Sequence, residues 1–131
     1  MTKIAVLALA LMALASCGGD SGSDDYQAAL DQANAAQAQA VALAVTTPCN
    51  AVQQCGVLTL TVAAGRCAFP DYHVYSLVSA TAGAASDAAA NERTLAQRAV
   101  SLSPPTACVT AIEAPPGVAC VANTCQAAAP Q

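Results

Sequence analysis

A chain of 131 residues with no tryptophan, 3% aromatic residues and a net charge of −4 makes one small domain with few large side chains to fill its core. Four basic residues scattered among eight acidic ones form no basic patch, which excludes nucleic acid as a partner and electrostatic attraction to anionic lipid. Such a domain needs covalent staples, and the sequence holds seven cysteines to supply them.

The chain opens on Met1-Thr2-Lys3, a short positive segment, and runs through Ile4 to Ala15 without a polar residue. That pattern fits the h-region of an export signal and is shorter than the roughly 20 apolar residues a bilayer span needs. It ends in Leu14-Ala15-Ser16-Cys17. These four residues closely resemble the lipobox of bacterial lipoproteins. The resemblance implies removal of residues 1–16 as a lipoprotein signal peptide, a diacylglycerol on Cys17 Sγ, and an acyl chain such as palmitate on its amino group. Each buried methylene contributes about 0.8 kcal/mol, and two or three chains make the membrane anchor stable where one does not. The competing reading is an ordinary signal peptide cut near Ser16. Gly18 stands where an Asp would favour inner-membrane retention in enterobacteria, so the resemblance leans toward the outer membrane over the inner.

Beyond Cys17, residues 17–25 form a polar tether rich in Gly, Ser and Asp. An Ala/Gln-rich helix is expected over 26–47, with Asp24 as its N-cap and Gln27 closing a capping box. Its expected stripe is Tyr26, Leu30, Ala33, Ala40, Val41 and Ala44. A stripe so dominated by alanine packs weakly on the domain or pairs with another helix of its kind. Thr47-Pro48 ends the helix, and residues 48–128 form the stapled domain.

Within that domain Val57–Val62 alternates as a half-buried strand, with Leu58, Leu60 and Val62 on one face. Phe69-Pro-Asp-Tyr-His-Val-Tyr75 holds three of the four aromatic residues, and Val74 to Ser79 continues as a second strand. Period-two spacing puts Phe69 and Tyr75 on one face as core and Tyr72 on the other, where it can touch a partner. A second helix runs from Ser86 to about Ser101, buried through Ala88, Leu95, Ala99 and Leu102. Ala107–Glu113 is a short strand, and Val118–Val121 with Cys125–Ala127 closes as a hairpin about Ala122-Asn123. The fold class is α+β: a small antiparallel sheet with one packed helix, an additional Ala-rich N-terminal helix, and three disulfides.

Cys49, Cys55, Cys67, Cys108, Cys120 and Cys125 make an even set, which in an exported chain reads as a disulfide framework. A zinc site fits less well, because only Cys120 and Cys125 have near-ligand spacing and His73 is the single histidine. Short loops favour the pairing Cys49–Cys55, Cys67–Cys108 and Cys120–Cys125. The spacing of these cysteines, with the aromatic stretch after Cys67, is similar to that of small cysteine-rich lipoproteins of Gram-negative bacteria, a resemblance that implies no activity.

His73 is the single histidine and so the only candidate general base near neutral pH, and Asp71 falls on the same strand face. No nucleophile elbow, phosphate loop, zinc-protease motif or C-x-x-C redox motif accompanies them. The expectation is therefore a lipid-anchored, non-catalytic envelope module without cofactor or metal. It would bind another envelope protein or the cell wall, with Tyr72 and His73 as the candidate contact residues. The alternative is a periplasmic hydrolase built around His73.

Overall fold

Alanine decides how this molecule is layered. The computed structural model describes residues 21–64, 67–103, 107–108 and 113–129. The Leu14–Cys17 motif, the tether up to Asp20, and most of the strand expected over 107–113 lie outside the described residues.

Helix α1, Ser21–Leu43, includes Asp24 in its first turn, so Asp24 is not the N-cap. Gln27 donates to Asp31 Oδ1 at 2.9 Å, a pairing one turn along the helix, and closes no capping box. The helix stops at Leu43, short of the expected 47, where the Thr81 hydroxyl donates to the Leu43 carbonyl at 2.7 Å. Helix α2, Ala82–Ser101, starts four residues ahead of Ser86. The Thr81–Leu43 bond ties the start of α2 to the end of α1. Ala28 and Ala29 of early α1 share a cleft with Arg98 and Leu102 at the far end of α2. The two helices are therefore antiparallel neighbours.

Their contact faces are almost all methyl groups. α1 buries Ala29, Ala33, Ala36 and Ala40; α2 buries Ala85, Ala89, Ala96 and Ala99, with Glu92 among them. Spacings of three and four keep each set on one face. This corrects both expected stripes. Of the α1 set, only Ala33 and Ala40 are fully buried, while Val41 is exposed. Of the α2 set, only Ala99 is, while Leu102 is exposed. The cause is steric. Two helices can lie close along their whole length only if small residues fill the seam, so Tyr26, Leu30 and Leu95 move to its half-buried margins. The weak-packing expectation for α1 is corrected with them: it pairs with α2.

Strands β1, Cys55–Ala64, and β2, Cys67–Ser76, form one long antiparallel ribbon. The register sets Gly56 opposite Tyr75, Leu58 opposite His73, Leu60 opposite Asp71 and Val62 opposite Phe69. These eight residues share the helix-facing side. Leu58, Leu60 and Tyr75 join Ala40, Ala85 and Ala89 in the main core. Tyr75 is buried and Phe69 only half-buried, both on the face expected for them. Gly56 lets the Tyr75 ring lie close: a Cβ there would stand 3.3 Å from its Cε1 and 2.7 Å from Leu77 Cδ2. Pro70 faces Thr61 across the ribbon, and a two-stranded ribbon leaves an outer edge where no N–H is required.

The other side of the ribbon carries the third layer. Strands β3, Val118–Val121, and β4, Thr124–Ala127, form the closing hairpin. Its two-residue turn has positive φ at both centres, Ala122 (47°) and Asn123 (64°), the arrangement a tight hairpin twist demands. A second core of Cys49, Cys55 and Cys125 forms here with Val74, Val118 and Cys120. The segment after α1 is clamped between the hairpins. Cys125 N donates to Thr46 O at 2.8 Å, Ser76 N to Val45 O at 2.8 Å, and Cys49 N reaches Asn123 Oδ1 at 3.1 Å. The expected α+β class thus holds, with two small antiparallel sheets in place of one.

The disulfides are Cys49–Cys120, Cys55–Cys125 and Cys67–Cys108. Only the last matches the pairing expected from loop length. Cys120 and Cys125 do face each other in the β3–β4 register, yet Cys120 bonds across to the segment that leads into β1 and Cys125 to the first residue of β1. Crossed bonds staple the hairpin to the ribbon, which bonds within short loops would leave unlinked. Closing the 71-residue separation of Cys49–Cys120 contributes about 4 kcal/mol by the chain-entropy estimate. With it in place, Cys55–Cys125 closes a much smaller effective loop and adds about 3 kcal/mol.

Candidate functional site

The polar residues on the helix-facing side of the ribbon converge at one place. Asp71 and His73 sit two apart on β2, so the pleat points both toward the helices. His73 Nε2 lies 2.9 Å from Asp71 Oδ2, and both side chains keep about a third of their surface exposed, 33% and 38%. The imidazole thus faces the carboxylate through Nε2, which donates to it whenever that nitrogen carries a proton. Gln37 Nε2 of α1 donates to the same Asp71 oxygen at 3.4 Å.

Glu92 of α2 completes the group, and the sequence reading missed it. Its side chain is entirely buried at 0% exposure. Oε2 accepts the backbone N–H of Thr61 at 3.0 Å, so the carboxylate satisfies a β1 donor that β2 cannot reach. Oε1 is buried with no hydrogen-bond partner among the described residues. Burial pushes the carboxyl above its ordinary value. The Thr61 N–H and the Arg93 charge oppose that shift, and the nearby Asp71 charge adds to it. The one available signal was Glu92 at helical spacing from Ala85, Ala89, Ala96 and Ala99, a charged residue in the middle of a small-residue face.

Four elements thus bring Gln37, Thr61, Asp71, His73 and Glu92 together. The Asp71–His73 pair can hold an oriented imidazole at the surface, and Glu92 can hold a proton in the interior. Among the described residues no Ser or Thr hydroxyl bonds to His73. Tyr72 lies on the opposite face of β2, half-buried, and its hydroxyl donates to the Glu113 carbonyl at 3.0 Å. The two expected contact residues, Tyr72 and His73, therefore sit on different sides of the ribbon.

Two other surfaces bear on function. A cleft of about 180 Å³ lined by Asp25, Ala28, Ala29, Gln32, Arg98 and Leu102 opens between the helices and shares no residue with the Asp71–His73 group. It is smaller than the roughly 300–1,000 Å³ of ordinary ligand pockets. At the open end of the ribbon, Val45, Leu77 and Val78 are exposed beside the backbone bonds that join Ser76 to Val45 and Leu77 to Gln54. Among the described residues no helix is long and apolar enough to cross a membrane. No protein-family model, curated protein or solved structure matches the chain.

Proposed function

We propose that this chain is a lipid-anchored protein of the bacterial envelope, held in the membrane through Cys17 and acting as a non-catalytic module that binds an envelope protein or the cell wall. The observation that carries the reading is the pair of crossed disulfides, Cys49–Cys120 and Cys55–Cys125. Disulfides that staple whole layers persist in oxidising compartments, which is where a chain led by Leu14-Ala15-Ser16-Cys17 would be delivered. The bonds of Asp71 support the non-catalytic half. Its Oδ2 is shared between His73 and Gln37, so the pair joins the ribbon to α1. The exposed Val45, Leu77 and Val78 supply apolar surface for a protein contact.

The test is lipid labelling followed by capture from intact envelopes. Wild-type protein should incorporate labelled fatty acid and fractionate with membranes, and Cys17→Ser should do neither. Cross-linking in envelopes should then recover a defined partner, with capture weakened by Leu77→Ser or Val78→Ser. Unmodified Cys17 in membrane fractions would end the anchoring half.

A hydrolase built on His73 is the rival reading, favoured by the 2.9 Å Asp71–His73 contact at a solvent-reaching surface. His73→Ala separates the two. Undiminished partner capture supports the binding module, and abolished turnover of an envelope substrate supports the enzyme.

A further inference from the structure

We infer that Cys49, Cys55, Cys120 and Cys125 form a thiol-exchange cluster, entered at Cys120 by an external thiolate and able to interconvert two disulfide pairings within the folded domain. Three of these sulfurs, those of Cys49, Cys55 and Cys125, lie within 4.8 Å of one another although they belong to two different disulfides. The fourth, Cys120, is bonded to Cys49 and stands directly opposite Cys125 in the hairpin register. Cys120 and Cys125 lie one step out from the Val121–Thr124 pair that closes the turn, and Cys125 N bonds outward to Thr46 O, so they form a non-hydrogen-bonded pair, with Cα atoms about 4.5 Å apart, inside the range a disulfide spans. Each sulfur therefore has a second bonding partner near at hand.

Accessibility sets the point of entry. Cys49 and Cys125 are 1% exposed and Cys55 is 6% exposed, while Cys120 is half-buried. A thiolate from a small monothiol or a thiol–disulfide oxidoreductase attacks Cys120 Sγ. The Cys49–Cys120 bond breaks, a mixed disulfide forms on Cys120, and Cys49 leaves as thiolate. Cys49 then attacks Cys55 Sγ, forming Cys49–Cys55 and releasing the Cys125 thiolate. Cys125 attacks Cys120 across the hairpin, forming Cys120–Cys125 and expelling the external thiolate. Nothing is oxidised or reduced overall, and the entering thiol is recovered. The product unlinks the β3–β4 hairpin from the ribbon, and the reverse sequence links it again.

Cys67–Cys108 takes no part in the scheme and serves as the internal control. The full chain is held in native buffer with catalytic reduced glutathione, quenched in acid and mapped by peptide mass spectrometry. The expected result is growth of Cys49–Cys55 and Cys120–Cys125 peptides at a rate proportional to thiol, with Cys67–Cys108 intact. Cys120→Ser supplies a second measurement without added thiol. Its stranded Cys49 should redistribute with Cys55–Cys125, giving Cys49–Cys55 or Cys49–Cys125 beside the original pair. Two results would overturn the inference. One is Cys55–Cys125 alone in Cys120→Ser. The other is wild-type exchange that appears only when Cys67 and Cys108 scramble too, because exchange would then proceed through the unfolded chain.

Discussion

Replacing Glu92 by Gln should stabilise the protein at neutral pH and leave it little changed in acid. The native environment holds the Glu92 carboxyl above its ordinary value of 4.5, chiefly because it is buried. A folded-state value above the unfolded one means that the folded state binds the proton more tightly. The contribution of Glu92 is then fully present below about the ordinary Glu value and is lost as pH rises above it. Once ionised, the group has one oxygen bonded to Thr61 N and one buried without a partner among the described residues. Gln keeps an oxygen acceptor for Thr61 and removes the charge that also faces Asp71. A buried unsatisfied polar group costs about 1–3 kcal/mol, more when charged. Relieving part of it should give about 1 kcal/mol, or a rise of roughly 4–8 °C in Tm for a domain of this size. The assay is thermal unfolding of both proteins from pH 4 to about pH 8, read as the difference between them, which cancels titrations they share. That difference should be near zero in acid and grow with pH. A constant offset, or a variant less stable at neutral pH, would refute the reasoning and show that the Glu92 charge is compensated in place.

Other perturbations test separate parts of the structure. Tyr75→Ala should cost about 3–5 kcal/mol because the ring fills the core over Gly56, while half-buried Phe69→Ala should cost visibly less in the same denaturant melts. Tyr72→Phe loses one hydrogen bond to the Glu113 carbonyl and should cost about 0.5–1.5 kcal/mol by equilibrium unfolding. Ala40→Leu puts a large side chain into the helix seam and should cost about 1–3 kcal/mol or more, against little change for the exposed Ala42→Leu. Ala122→Gly removes a Cβ from a left-handed position and should raise stability by about 1 kcal/mol in thermal melts. Alkylation of folded protein without reductant should label none of the six cysteines from Cys49 to Cys125, and peptide mapping should return the crossed pairs.

Local rules made much of the ribbon legible. Alternation placed Leu58 and Leu60 inward and set Phe69 and Tyr75 on the face opposite Tyr72, because a strand has a period of two whatever packs on it. The two-residue turn at Ala122-Asn123 fixed Cys120 opposite Cys125 for the same local reason. The helix seam was not legible. Helical periodicity places Ala29 and Leu30 on adjoining faces, and hydrophobicity alone favours burying Leu30. Only the identity of the partner, another alanine-faced helix, reverses that choice. The disulfide pairing failed in the same way: sequence distance measures the cost of closing a loop, and the layer that docks onto Cys49 and Cys55 is a tertiary fact.

Glu92 shows why part of the candidate site stayed hidden. Asp71 and His73 could be joined in advance because two residues on one strand face must meet. Gln37 and Glu92 come from helices whose rotation depends on the alanine seam, and misplacing the seam misplaces both. Once the seam is right, its chemistry follows. A helix packed close to the ribbon edge through methyl groups buries the Thr61 N–H, which points outward from β1, away from Pro70's strand, where β2 can give no acceptor. A long side chain carrying an acceptor must reach in from α2, and Glu92 does so at 3.0 Å. The carboxylate brings a second oxygen that no described residue satisfies. Gln would meet the same backbone requirement without an ionised group. The presence of Glu therefore couples the helix pair to pH through a bond whose structural purpose a neutral side chain would serve equally well.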